Sequence, residues 1–218
     1  MDKKFEIFDA DIKIPMSMVI AGPSKSGKSS FTIKLLKNKY NIIEQDFDYI
    51  LWFYGQNEPK DQEFASDSRV SFIKGLPRSL DTYVDSSLNG VAIFDDLMTE
   101  CGNSALMSDF FTKKCHHENI SVIFITQNFF SNGKARKDII KNANYIVLFN
   151  SPMDRSIGRH LASRILPEST KSFLQIYKHA TAGPHKYLFI DGHQNTPPEA
   201  QFRTDILNYY QKNISPLD

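Results

Sequence analysis

Cysteine is scarce in this chain: only Cys101 and Cys115 occur among 218 residues, and they form no C-x-x-C pair. That excludes a disulfide framework and a paired-thiolate metal site as the organising feature. Long hydrophobic runs are missing as well, with none approaching the roughly 20 apolar residues needed to span a bilayer. The start, Met1-Asp2-Lys3-Lys4, lacks the apolar stretch of a secretory leader. The expectation is a soluble protein of a reducing, intracellular compartment with no membrane partner. Nor is there an excess of charge of one sign, since 26 Lys and Arg against 25 Asp and Glu leave a formal net charge of +1. No global basic field advertises nucleic acid, so any DNA contact has to be local or built by oligomerisation. The sequence contains no internal repeat and no low-complexity segment, which removes solenoid and disordered classes. What remains is an ordinary globular composition, 41% hydrophobic, sufficient for one α/β domain with a sizeable core.

Against this plain background stands Gly22-Pro23-Ser24-Lys25-Ser26-Gly27-Lys28-Ser29, a complete G-x-x-x-x-G-K-[ST] phosphate loop. Gly22 and Gly27 let the backbone turn tightly and approach an anion, so that successive N–H groups converge on phosphate oxygens. Lys28 brings a positive charge to the outer phosphates, Ser29 offers a hydroxyl to Mg²⁺, and the helix that follows points its N-terminal dipole at the ligand. Candidate binding residues are Gly22, Pro23, Ser24, Lys25, Ser26, Gly27, Lys28, Ser29 and Ser30. The context agrees with the motif. Upstream, Met16 to Ala21 is short, mostly apolar and preceded by Pro15, as a buried strand is; downstream, Phe31, Ile33, Leu35 and Leu36 alternate with lysines as an amphipathic helix.

Further apolar runs occur at Tyr49–Tyr54, Val70–Ile73, Val91–Phe94, Val122–Ile125, Tyr145–Phe149 and Tyr187–Ile190, separated by helix-sized intervals. Runs of this kind predict a mainly parallel central sheet flanked by helices on both faces, an α/β fold. Residues 55–69 and 192–200 read as surface loops. Residues 1–218 are expected to form a single domain, with 192–218 a C-terminal loop and helix extension.

The run Val91-Ala92-Ile93-Phe94 ends in Asp95-Asp96. A carboxylate at the end of a buried strand is costly without a cation, and the Mg²⁺ that bridges nucleotide phosphates would supply one. Asp95 is therefore the candidate metal residue beside Ser29, acting mostly through a water. Asp96 is the candidate base that polarises an attacking water, with Glu100 as a rival. The strand ending at Ile125 runs into Thr126-Gln127-Asn128. This places Gln127 where open α/β sheets bind ligands, able to orient that water.

The order of phosphate loop, Asp-Asp strand end and Gln-ended strand resembles the FtsK-HerA superfamily of ring-forming DNA-pumping ATPases, P-loop NTPases of RecA-like fold. Between Val91 and Pro167 the likeness is denser. Phe94-Asp95-Asp96-Leu97-Met98, the block from Cys115-His116-His117 to Thr126-Gln127-Asn128, Gly133-Lys134 and Asn144 to Phe149 are similar to the genome-packaging ATPases of Polinton/Maverick elements and adintoviruses. The resemblance implies an ATP- and Mg²⁺-dependent motor, a homo-oligomeric ring that threads double-stranded DNA into a preformed viral capsid or portal vertex at the site of virion assembly. It also implies a cation supplied by a neighbouring subunit. Candidates are Arg155 and Arg136 foremost, with Arg159 and Lys25 behind them. Where relatives often carry Asn-Pro-Arg-Asp, this chain has Ser151-Pro152-Met153-Asp154, so the arginine is missing there. The basic stretch Phe129 to Asp138 with Lys141 is the candidate DNA-contacting segment. His116 and His117 lack metal-ligand spacing and read as structural or subunit-contact residues. Other classes stay open: a small-molecule kinase, or an ATP-binding assembly factor without turnover. A GTPase switch is disfavoured because no Asn-Lys-x-Asp motif occurs.

Overall fold

The computed structural model describes residues 12–37, 42–56, 58–77, 79–97, 119–127, 139, 141–154, 156–207 and 212–213. Among the described residues, nine strands form one sheet: β1 (Ser17–Ala21), β2 (Tyr49–Tyr54), β3 (Val70–Lys74), β4 (Gly90–Asp95), β5 (Ile120–Thr126), β6 (Tyr145–Phe149), β7 (Tyr187–Asp191), β8 (Phe202–Thr204) and β9 (Lys212–Asn213). Their spatial order is β3-β2-β4-β5-β1-β6-β7-β8-β9. From β3 to β6 every neighbouring pair is parallel; β7, β8 and β9 add antiparallel pairs on one side. The described helices are α1 (Lys28–Lys37), the single turn α2 (Gln62–Ala65), α3 (Ser156–Ile165) and α4 (Thr170–Ala180).

Alternation along the strands sends side chains to two cores. Met18 and Ile20 of β1, Trp52 of β2 and Ile93 of β4 face the layer holding Phe31, Leu35 and Leu36 of α1. Val19 and Ala21, Phe53 and Phe94 face the opposite layer, with Ile157 and Leu161 of α3 and Phe173 and Ile176 of α4. Central strands buried on both faces explain why their sequences are apolar without interruption. Among the described residues, no helix is long and apolar enough to cross a membrane.

Strand order is what builds the site. In parallel strands the C-terminal ends lie along one edge, and the register Asp95↔Ile125 and Ala21↔Thr126 brings the ends of β4, β5 and β1 level. Because β5 lies between β4 and β1, Gln127 emerges between the Asp95-Asp96 pair and the loop after Ala21.

One segment departs from the sequence reading, and a second is described only in part. The expected loop at 55–69 contains α2, which is capped by Asp61 accepting from the Phe64 N–H at 2.9 Å and anchored by Phe64 against Trp52. Four residues are too few to show a helical period, so a cap and one buried ring decide it. Of the segment 192–218, expected as a C-terminal loop and helix extension, residues 208–211 and 214–218 lie outside the described residues, and the described part holds a 3₁₀ turn at Pro198–Ala200 followed by β8 and β9. Its signal is hidden by Arg203, which is 1% exposed in the middle of β8. The guanidinium Nη2 donates to Asp191 Oδ2 at 2.6 Å, and Cζ lies 4.7 Å from the Phe189 ring centre. Asp191 Oδ1 also accepts from the His193 N–H at 3.1 Å.

Candidate active site

The phosphate loop connects β1 to α1. Gly22 donates its N–H to the Thr126 carbonyl at 3.2 Å, which ties the loop to β5. A Cβ on Gly22 would stand 2.6 Å from Phe149 Cβ and 2.9 Å from Ser26 Oγ, so no larger residue fits. Gly27 has φ +105°, and Lys25 is left-handed at +62°. The crown of the loop is thus built from conformations that L-residues rarely adopt. Lys28 is 8% exposed, and its ammonium donates to the Gly22 and Pro23 carbonyls, each at 2.9 Å. Burial holds its pKa below the ordinary lysine value, while the charges of Asp95 and Asp96 work in the opposite sense. An ammonium held this way has little water to lose and is directed by the loop's own carbonyls.

On the far side of the loop, Ser29 Oγ donates to Asp95 Oδ2 at 2.8 Å. Burial pushes the Asp95 carboxyl up, and the Ser29 hydroxyl and the Lys28 charge oppose it. A carboxylate in this condition gains from a further cation. A hydroxyl and a carboxylate are the hard oxygen donors that Mg²⁺ takes, so the residues present fit that ion, with Asp95 acting mostly through a water. Asp96 follows in a left-handed conformation, φ +56°, which turns the chain away at the end of β4. Gln127 Nε2 donates to Asp96 Oδ1 at 3.1 Å. A cavity of about 160 Å³ is lined by Ser24, Lys28, Ser29, Asp95, Asp96 and Gln127. The sequence-predicted loop, acidic and amide residues therefore share one space. Arg136, Arg155, Glu100, His116, His117, Asn128 and the stretch 129–138 lie outside the described residues. Arg159 is on α3 and exposed, away from that lining, and Lys141 is exposed.

A larger cavity of about 460 Å³ opens on the other flank of α1, walled by Lys34, Phe149, His185, Tyr187 and Leu207 beside Gly27 and Ser30. Its size suits a nucleoside next to phosphates held by the loop. Sequence reasoning missed this wall. His185 Nδ1 lies 3.0 Å from the Ser26 carbonyl oxygen, although 159 residues separate them in the chain. Gly55 was missed too: a Cβ there would stand 2.4 Å from the Asp96 carbonyl oxygen, so only glycine lets β2 close against the turn carrying Asp96. A glycine directly after a strand was the one available signal for it. Nothing local marked His185.

No protein-family model matches the sequence, and no curated protein matches it. Among solved structures, the chain is similar to the genome packaging NTPase B204 from Sulfolobus turreted icosahedral virus 2 in complex with AMP. That match has 13% identity and a TM-score of 0.52, over 93% of this chain and 98% of the other. The same NTPase in complex with ATP-gammaS matches at 15% identity and a TM-score of 0.54, over 84% and 95% of the two chains. The crystal structure of B204, the DNA-packaging ATPase from Sulfolobus Turreted Icosahedral Virus, matches with the same figures. At such identities the likeness speaks for architecture. With a parallel sheet, a phosphate loop between β1 and α1 and this structural match, the chain has the α/β fold of a P-loop NTPase.

Proposed function

We propose that this protein is an ATP-hydrolysing motor that packages double-stranded DNA into a preformed viral or transposon capsid, working as a homo-oligomeric ring inside the host cell. The observation that carries the hydrolytic reading is the juxtaposition of Lys28, the Ser29–Asp95 pair and the Asp96–Gln127 pair around one cavity. The fold shared with a genome packaging NTPase supports the packaging role. So does the resemblance of residues 91–167 to the packaging ATPases of Polinton elements and adintoviruses within the FtsK-HerA superfamily. Residues 1–218 then act as one ATPase domain.

In this reading N–H groups of the loop after Pro23, that of Gly27 among them, cradle the phosphates, and Lys28 offsets charge on the outer ones. Ser29, and Asp95 mostly through a water, would hold Mg²⁺, whose charge would offset that of the phosphate oxygens. Asp96 accepts a proton from the attacking water as its oxygen bonds to the γ-phosphorus and the bridging bond to ADP breaks; Gln127 holds the water and the carboxylate in line. Arg155 or Arg136 of a neighbouring subunit supplies the cation that stabilises the departing γ-phosphoryl. The stretch 129–138 follows DNA phosphates in the ring interior.

If Asp96 and Gln127 act on the water and not on the bound nucleotide, Asp96→Asn and Gln127→Ala each lower kcat by about 10²-fold with KM nearly unchanged. Steady-state kinetics of the two variants check this, and a raised KM at constant kcat would contradict it. The function itself is tested by ATP turnover of the assembled protein with and without double-stranded DNA. Turnover stimulated by DNA and lost in Lys28→Ala supports the motor. Phosphate transfer to a nucleoside acceptor would make it a kinase, and nucleotide binding without turnover an assembly factor.

A further inference from the structure

We infer that His185 is a positioning residue of the phosphate loop, holding the Ser26–Gly27 peptide in the orientation that presents its N–H to phosphate. The inference rests on the reading of residues 22–29 as an anion-binding loop. A peptide unit is planar, and its C=O and N–H point in opposite directions. Fixing the Ser26 carbonyl outward therefore fixes the Gly27 N–H inward. This peptide is the soft point of the loop. It precedes a glycine at φ +105°, and glycine crosses readily between conformations closed to other residues. Two carbonyls at the start of the loop are already held: Lys28 takes those of Gly22 and Pro23, and the Ser26 N–H also donates to Pro23 O at 3.2 Å. The Ser26 carbonyl has its partner 3.0 Å away in His185 Nδ1. With an acceptor at that distance the nitrogen must carry the proton, in the neutral Nδ1–H tautomer and in the imidazolium alike.

The backbone of His185 fits this role. It sits at φ +59° in the turn Gly183-Pro184-His185-Lys186 between α4 and β7, a conformation that costs a non-glycine residue free energy and is kept where the surroundings need it. That conformation brings the ring against the loop: a Cβ on Gly27 would lie 3.1 Å from His185 Nδ1 and 3.6 Å from His185 Cβ. The turn follows α4, whose Tyr177 Oη donates to the Phe149 carbonyl at 3.0 Å, beside Gly22. One helix and the turn after it thus touch the loop region at both ends.

The test uses two substitutions that both tolerate left-handed backbone. His185→Gly removes the donor, whereas His185→Asn keeps an N–H two bonds from Cβ, where Nδ1 stands. Affinities for ATP and for inorganic tripolyphosphate are measured by calorimetry, with Lys28→Ala as the control for the loop itself. Expected for His185→Gly is a loss of roughly three- to tenfold for both ligands, the worth of one partly exposed hydrogen bond, with His185→Asn restoring most of it and Tm little changed. Unaltered affinity in His185→Gly, or a loss confined to ATP, overturns the inference, the latter because the ring would then be touching the nucleoside. If His185→Gly does not fold, His185→Ala against His185→Asn makes the same comparison. A wild-type protein that binds neither ligand would refute the anion-binding reading itself, whereas absence of DNA-stimulated turnover with intact binding would leave His185 in place and remove only the motor.

Discussion

Replacing Lys28 by alanine is expected to lower ATP turnover by on the order of 10³-fold while leaving the protein folded. The side chain is nearly buried, it is aimed by two loop carbonyls at 2.9 Å, and burial already disfavours its charge. A cation so placed gives its full effect where negative charge gathers on the outer phosphates, because no reorganisation is needed at the moment of reaction. Folding loses little, since the substitution removes a desolvated charge together with its two hydrogen bonds. Arginine should not substitute for it: the planar fork is wider than an ammonium and cannot sit between the Gly22 and Pro23 carbonyls. Turnover at saturating ATP, read beside the thermal unfolding of each variant, checks both statements. A Lys28→Ala enzyme within tenfold of wild type would contradict the assignment of this loop.

The second large effect lies far from the chemistry. Asp191→Ala leaves Arg203 buried without its carboxylate, and breaking such a pair from one side costs about 3–5 kcal/mol, a large part of the roughly 5–15 kcal/mol that holds a domain folded. Replacing both residues by apolar ones of similar volume should recover most of that loss, because the penalty belongs to the orphaned charge. Acidity acts on the same site. Burial pushes the Asp191 carboxyl up, but hydrogen bonds from the His193 ring and backbone N–H and the charge of Arg203 outweigh it, and the net value lies below the ordinary range. A carboxyl lowered on folding contributes stability above its unfolded pKa and loses it as pH falls through the lowered value. Stability of the wild type should therefore fall below about pH 4 more steeply than that of Asp191→Asn. Denaturant unfolding across pH measures both effects; a cost under about 1 kcal/mol for Asp191→Ala would show that the pair is open to water.

Much of this molecule was legible in its sequence, for identifiable reasons. Strands such as Val91–Phe94 and Tyr145–Phe149 are buried on both faces, so their apolar runs stand out without any alternation to decode. The phosphate loop announces itself because its glycines are demanded by backbone geometry, as the contact of Gly22 with Phe149 makes plain. Asp95 was visible as a carboxylate where a strand should end, whereas its meeting with Ser29 comes from the strand order that sets the ends of β4 and β1 on one edge of the sheet. What escaped is of another kind. Arg203 disguised β8 because a charged residue in a strand reads as surface until its partner, twelve residues away in β7, is known. His185 and Gly55 gain meaning only from contacts across the sheet edge, which no local pattern encodes.

These groups are expected to hydrolyse ATP in order to move DNA. The most direct measurement is the rate of phosphate release from ATP by the assembled protein, with Mg²⁺, in the presence and absence of double-stranded DNA, for wild type, Lys28→Ala and Asp95→Ala. The prediction is turnover that rises with DNA in the wild type and disappears in both variants. Absence of turnover in the assembled wild type, or a rate indifferent to Lys28 and Asp95, would contradict it.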